Sequence, residues 1–297
     1  MNGYVDLGQN RYYLNDGVFR IEIVEEYGFV AATCQVEFDA KMLNDAMPPE
    51  VRELPGVRIP VMAYITDLAD GRPKQFNGYL DDLGGTLDVF PEPQATIVLA
   101  ARSFLSLLTD ESDDNPPITN QYYDKKWSYV VADIVKKRGF GTNYIEGSTE
   151  WAGEQLADGS WFLSIDNELA GEIINNAVSA TGFIANTTNN KEFIFARSIV
   201  DANYVPITFT YLERDESSEI FTANYNNGAF EFFQTNNKFA IINPGSQVRI
   251  LIPNNGLLSG MYYVTRVQYS ALSDGVSNIQ YTVATELPVL KEAEEAT

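Results

Sequence analysis

Two hydrophobic periods divide this chain. In the first 110 residues apolar side chains alternate with polar ones, the mark of strands half-buried in a sheet. Residues 19–25 and 28–38 read as a hairpin around Glu26-Tyr27-Gly28. In its second arm Val30, Ala32, Cys34, Val36 and Phe38 alternate with Ala31, Thr33, Gln35 and Glu37, which predicts one inward apolar face. Further strands are predicted at 57–66, 75–81 and 95–101. The middle shifts to helical spacing. Trp127, Val130, Val131, Ile134 and Val135 share one face, and Gly139 closes the pattern as a C-terminal cap. A second helix is predicted from an N-cap near Asp166, burying Leu169, Ile173, Ala177 and Ala180 before Gly182. Residues 183–186 and 192–197 then flank Thr187-Thr188-Asn189-Asn190-Lys191 as a hairpin. From about Tyr204 the β texture returns.

The returning half resembles the first. Pro55-Gly56 precedes Val57, Ile59, Val61 and Ala63, while Pro244-Gly245 precedes Val248, Ile250 and Ile252. Each is followed by a strand entered through glycine, Asn77-Gly78-Tyr79-Leu80 in one half and Ser259-Gly260-Met261-Tyr262 in the other. Each half ends on an apolar strand, 96–101 or 281–285. The acidic, proline-ended run 110–117 (DESDDNPP) reads as a linker, and helical patterning stops near Asp201. The expected organisation is mainly β with an α+β insert: a first tube-like β-barrel over 1–110, an α+β module over 111–200, and a second barrel with a C-terminal tail over 201–297, the tail being disordered.

Charge narrows the function. The chain of 297 residues has 41 acidic and 20 basic side chains, a net −21, and the acidic excess persists in all three regions. A general nucleic-acid binder would carry a basic footprint. With no histidine, Ser/His, Cys/His and histidine-metal devices have no imidazole to use. One cysteine excludes an internal disulfide and Cys-rich zinc sites. No apolar run approaches a membrane span, and the first residues lack the basic and apolar regions of a signal peptide, so a soluble protein from a reducing compartment is expected.

The remaining candidates reduce to ordinary structure. Cys34 sits on the apolar face of its strand with nothing to stabilise a thiolate, and reads as a core residue. Asp110, Ser112 and Asp114 match the first positions of a calcium loop, but Asn115 and Gln121 stand where glycine and glutamate are required. Gly139-Phe140-Gly141 follows a helix, so its amides meet no helix N-terminus, and no phosphate-binding G-x-x-x-x-G-K-[ST] run exists. Paired carboxylates could serve a glycosidase, yet no spacing singles out a pair. Lys125, Lys126, Lys136, Lys137 and Arg138 form the only basic cluster. Lys126 and Lys137 are predicted to share a helix face, and the last three complement the negative end of the helix dipole. No catalytic, cofactor-binding or metal-binding residue is predicted.

Several segments resemble the bacteriophage tail baseplate hub family, which includes late control gene D-like proteins and hubs of contractile injection systems. Ile118-Thr119-Asn120-Gln121-Tyr122-Tyr123 leading into Ala132-Asp133-Ile134-Val135-Lys136-Lys137-Arg138-Gly139-Phe140 is similar to the family's strand-then-helix segment. Ser160-Trp161-Phe162-Leu163, with the helix to Gly182-Phe183, resembles its next element. Pro244-Gly245 with Gly260-Met261-Tyr262-Tyr263-Val264 and Val267 is similar to its last barrel. The resemblance implies two tube-like barrels per subunit and a homotrimer whose six barrels form a ring. The ring would join the sixfold tail tube, or a tube-initiator protein, above to a threefold central spike below and conduct DNA during ejection. It also implies contacts with the tape-measure protein and other baseplate proteins, and a place in the virion after synthesis in the host cytoplasm. Neither enzymatic activity nor a cofactor is implied, because the chain has no spare length for a lysozyme or peptidase domain. The alternatives are a tail component that binds or degrades peptidoglycan, and a plain β-rich adhesin.

Overall fold

The computed structural model describes residues 3–39, 59–66, 73–88, 94–111, 115–197, 206–212, 219–226, 228–234, 242–253, 255–275 and 277–287. Pro55-Gly56, Ser112, Asp114 and residues 288–297 lie outside them. The described chain forms two compact units, residues 3–27, 32–103 and 206–287 in one and residues 28–31 and 104–197 in the other.

The first unit begins with β1 (Gly3–Leu7), β2 (Asn10–Leu14), β3 (Gly17–Glu26), β4 (Thr33–Asp39), β5 (Pro60–Ile65), β6 (Lys74–Asp88) and β7 (Gln94–Ser103). They pair in the order β3-β2-β1-β5-β6-β7-β4, and β4 returns to β3, closing a seven-stranded barrel. Closure removes the free edges of an open sheet, and period-two alternation fills the interior. Val5, Leu7, Leu14, Ile21, Ile23, Cys34, Val36, Phe38 and Ile65 are buried there.

The second unit comprises α1 (Ser106–Thr109), β8 (Ile118–Tyr123), α2 (Trp127–Lys137), β9 (Gly141–Ile145), β10 (Glu154–Gln155), β11 (Trp161–Glu168), α3 (Ala170–Thr181), β12 (Phe183–Thr187) and β13 (Glu192–Arg197). Its strands make two small sheets, β10-β11-β8 and β12-β13-β9. The five apolar residues expected on the first helix are all buried on α2. Its end is fixed by backbone geometry: Gly139, at φ +73°, donates its N–H to Lys136 O at 3.0 Å, and Phe140 N–H reaches Val135 O at 3.1 Å. This paired closure satisfies carbonyls that the last turn leaves open.

Three local expectations are corrected. The arm opposite β3 starts at Thr33 rather than residue 28, and Val30 is exposed. Residues 28–31 belong to the second unit, where Phe29 packs edge-on against Phe193. Asp166 lies inside β11, not at a helix start. The N-cap of α3 is Leu169, whose N–H donates to the Glu172 carboxylate at 2.7 Å. Helix α3 therefore buries Ala170, Ile173, Ile174, Ala177 and Val178, whereas Ala180 is exposed. The predicted hairpin is present as β12–β13.

The chain then returns to the first unit as β14 (Ile207–Thr210), β15 (Ile220–Asn226), β16 (Ala229–Gln234), β17 (Gln247–Leu251), β18 (Gly260–Leu272) and β19 (Ser277–Ala284). These pair in the order β14-β17-β18-β19-β16-β15. The sheet curls until its outer strands meet. Glu219 N–H donates to Thr210 O at 2.8 Å, and the Glu219 carboxylate accepts from Thr210 N–H at 2.9 Å. Phe209, Phe232 and Tyr281 fill the interior, with ring centroids 5.0–5.7 Å apart. The fold is mainly β with a small α+β module, as the sequence predicts.

Candidate assembly interface

The two β halves have the same wiring. In the first, β1, β5, β6, β7, β4 and β3 lie side by side; in the second, β14, β17, β18, β19, β16 and β15 follow the same spatial order. Each half runs through its six strands in one chain order, and β3–β4 and β15–β16 are the corresponding hairpins. One difference is the first pairing, antiparallel for β1–β5 and parallel for β14–β17. Irregularities in register also correspond. A bulge separates Val18 from Arg20 on β3 and Ile220 from Thr222 on β15. Another separates Leu80 from Asp82 on β6 and Val264 from Arg266 on β18. The bulges place Tyr262 opposite Gly78 in the correspondence, so the glycines that the sequence aligns, Gly78 and Gly260, are not equivalents.

Among the described residues one ladder joins the halves. From Arg20 to Glu26, β3 pairs antiparallel with β18 from Leu272 to Arg266. Short-range alternation could not announce this seam, because its strands lie far apart in the sequence. Arg266 faces Glu26 across it at 3.5 Å, and Lys74 Nζ lies 2.6 Å from Glu25 while resting 4.6 Å from the Tyr269 ring centre. A largely buried ammonium held by a carboxylate and an aromatic face fixes register more than it adds stability.

The residues singled out in the sequence do not converge on a reactive centre. Cys34 is fully buried in β4, and burial, with the nearby Glu22 charge, pushes its thiol far up. A thiol held neutral in an apolar interior is inert. Asn115 is buried and donates from Nδ2 to Leu108 O and Asp110 O, so the end of the expected linker is pinned. Lys126 is extended, pairs with Trp151 as an isolated bridge, and stands outside α2; it does not share a helix face with Lys137. Three of the other four basic residues are engaged locally: Lys125 over Tyr129, Lys137 on Asp133, and the Arg138 guanidinium on Pro116 O. Among the described residues no group of three His, Cys, Asp or Glu could hold a metal ion, and no helix is long and apolar enough to cross a membrane.

Asp133 gives the second unit a measurable acid sensitivity. Burial raises its carboxyl, but hydrogen bonds from Lys137 and the Tyr122 hydroxyl, each 2.7 Å, outweigh that and hold it below the ordinary carboxylate value. With the folded value below the unfolded one, this contribution to stability is whole above about pH 4 and is lost as pH falls through the folded value. The gap in urea midpoint between wild type and Asp133→Asn should narrow from about pH 5 to about pH 2.5. A gap that stays constant over that range would remove the ionised network as its cause.

No protein-family model matches the sequence, and neither does any curated protein. Solved structures do match. A 43 kDa tail protein of prophage MuSo2 from Shewanella oneidensis superposes at TM-score 0.64 with 12% identity, covering 95% of this chain and 96% of that one. A tail protein from Neisseria meningitidis MC58 superposes at 0.63 with 9% identity over 95% and 96%. The chain has a phage tail protein fold. Its neighbours also include the E. coli c3393 protein, a type VI secretion system component with structural similarity to the T4 tail proteins gp27 and gp5; TM-score is 0.58 and identity 12%, over 96% of this chain and 77% of that one. The neighbours agree with the baseplate hub resemblance drawn from the sequence.

Proposed function

We propose that this protein is a structural hub of a phage tail or related injection machine, in which three copies form a ring that joins a sixfold tube to a threefold spike. The supporting observation is the repeated strand order within one chain. Two like barrels per subunit give three copies six like units, so one face of the ring can match a sixfold partner while the assembly keeps threefold symmetry. Three chains of net −21 together carry −63. A conduit so charged repels phosphate and lets DNA pass without adhering.

Light scattering and electron microscopy of the assembled protein should show a closed three-copy ring with a central channel. A stable monomer in the assembled tail, or copies that enclose no channel, would overturn this reading. Titration with labelled duplex DNA at low salt should give no salt-sensitive complex; a tight one would remove the conduit argument. Exposed Tyr123, Tyr129, Tyr144 and Trp151 on the α+β unit favour cell-wall sugar binding as the second reading. Pull-down on peptidoglycan and a zymogram separate the two.

A further inference from the structure

We infer that the loop between β17 and β18, residues 252–259, is where the threefold spike grips the ring, through an apolar socket rimmed by carboxylates that takes Leu257. The inference rests on the hub reading for the ring and its spike.

The loop is built to hold one side chain out. Ser259 ties its ends together: the hydroxyl accepts from Ile252 N–H at 2.8 Å and donates toward Asn255 O and Ile252 O, at 2.9 and 3.0 Å. Asn255 Oδ1 accepts from Leu258 N–H, and Asn255 O accepts from Ser259 N–H, each at 3.2 Å. The Tyr262 hydroxyl donates to Leu258 O at 2.9 Å. Ile252 and Leu258 turn inward and pack against the core. Leu257 is left 92% exposed. One exposed leucine is ordinary, but Leu251 and Met261, on the outer face of the flanking strands, are exposed as well. A loop fixed in advance loses little entropy when it docks.

Charge defines what the loop fits. Acidic residues are spread along the chain, yet from Phe232 to Ser273 there is none, and Lys238, Arg249 and Arg266 are basic. Arg266 is engaged by Glu26 across the seam. Arg249 is exposed, stands directly opposite Met261, and has no carboxylate partner among the described residues. Apolar side chains beside an unpaired guanidinium suit a socket with carboxylates on its rim. Symmetry then decides between partners. The corresponding loop of the first half, 66–73 (TDLADGRP), carries Asp67, Asp70 and Arg72, and Met62 stands at the position of Arg249. A carboxylate rim repels those aspartates. Six equal sockets of a sixfold tube would meet two unlike loops in turn, whereas three sockets of a threefold spike meet one loop three times.

Maleimide labelling of Leu257→Cys tests the contact, since the native Cys34 is buried. Residue 257 is almost wholly exposed, so the variant should fold as wild type by circular dichroism. The isolated three-copy ring should label readily. In assembled particles the labelling rate should fall by about tenfold or more as the socket shuts out solvent, and it should recover in particles stripped of their spike. Fast labelling in whole particles would overturn the inference and leave the hub reading standing. Protection that persists without the spike would overturn it in favour of the tube, and protection in the isolated ring would overturn it in favour of a second copy. Arg249→Glu reads the rim: its particles should keep ring and tube but lose most of their spikes in electron micrographs. Unchanged spike occupancy would overturn the carboxylate rim. Failure of the wild type to form a three-copy ring would overturn the hub reading and the inference together.

Discussion

Replacing Phe232 with alanine should destabilise the first unit by about 3–5 kcal/mol. The side chain is fully buried between Phe209, at 5.0 Å, and Tyr281, at 5.5 Å between ring centroids. Its loss removes both the burial and two ring contacts, and the curled sheet cannot collapse onto the void without breaking the β16–β19 ladder. Phe233, the next residue, is 38% exposed on the opposite face, and its alanine variant should cost about 1 kcal/mol or less. Urea unfolding followed by far-UV circular dichroism reads the difference. All three tryptophans, Trp127, Trp151 and Trp161, lie in the second unit, so their fluorescence reports that unit and its transition should stay in place. Equal losses for the two variants would mean that the curled sheet has no packed interior.

Gly78→Ala should be the more damaging of two superficially similar substitutions. Gly78 is paired on both sides, with Val61 of β5 and Ser103 of β7. An added Cβ would stand 2.0 Å from Arg102 O and 2.9 Å from the tip of the Phe76 ring. The carbonyl belongs to a laddered strand and cannot retreat, so about 1–3 kcal/mol of strain is expected. That outweighs the ~0.4–1 kcal/mol gained when alanine narrows the unfolded ensemble. At Gly260 the nearest neighbour of an added Cβ is Tyr262 Cε2 at 3.7 Å, an ordinary contact. Gly260→Ala should therefore be neutral or slightly stabilising. Thermal melts of the two variants decide the matter: shifts in the same direction and of similar size would restore the sequence view that these glycines play one part.

The contrast shows how far repetition could be read from the chain. That the two ends are alike was legible, since both alternate with period two and both carry paired apolar strands. The alignment of Asn77-Gly78 with Ser259-Gly260 was not sound, because a glycine answers to the sterics of its own neighbours. The bulges at Leu80/Asp82 and Val264/Arg266 give the true correspondence, and a bulge is a property of two paired strands that neither sequence states alone.

The candidate interface was the least legible part. Lys125, Lys126, Lys136, Lys137 and Arg138 stood out as the one basic cluster, yet four of the five have partners within the second unit.

By itself the sequence determined the local periods, the buried face and glycine closure of α2, the inert setting of Cys34 and the acidity that disfavours nucleic acid. Each follows from side chains a few positions apart or from simple sums over the chain. Tertiary structure alone decided that Val30 faces outward, that Asp166 remains in a strand, and that β3 leaves its own barrel to pair with β18. Backbone ladders are built from N–H and C=O groups common to nearly every residue, so strand partners distant in the chain are chosen by the folded arrangement of the whole sheet.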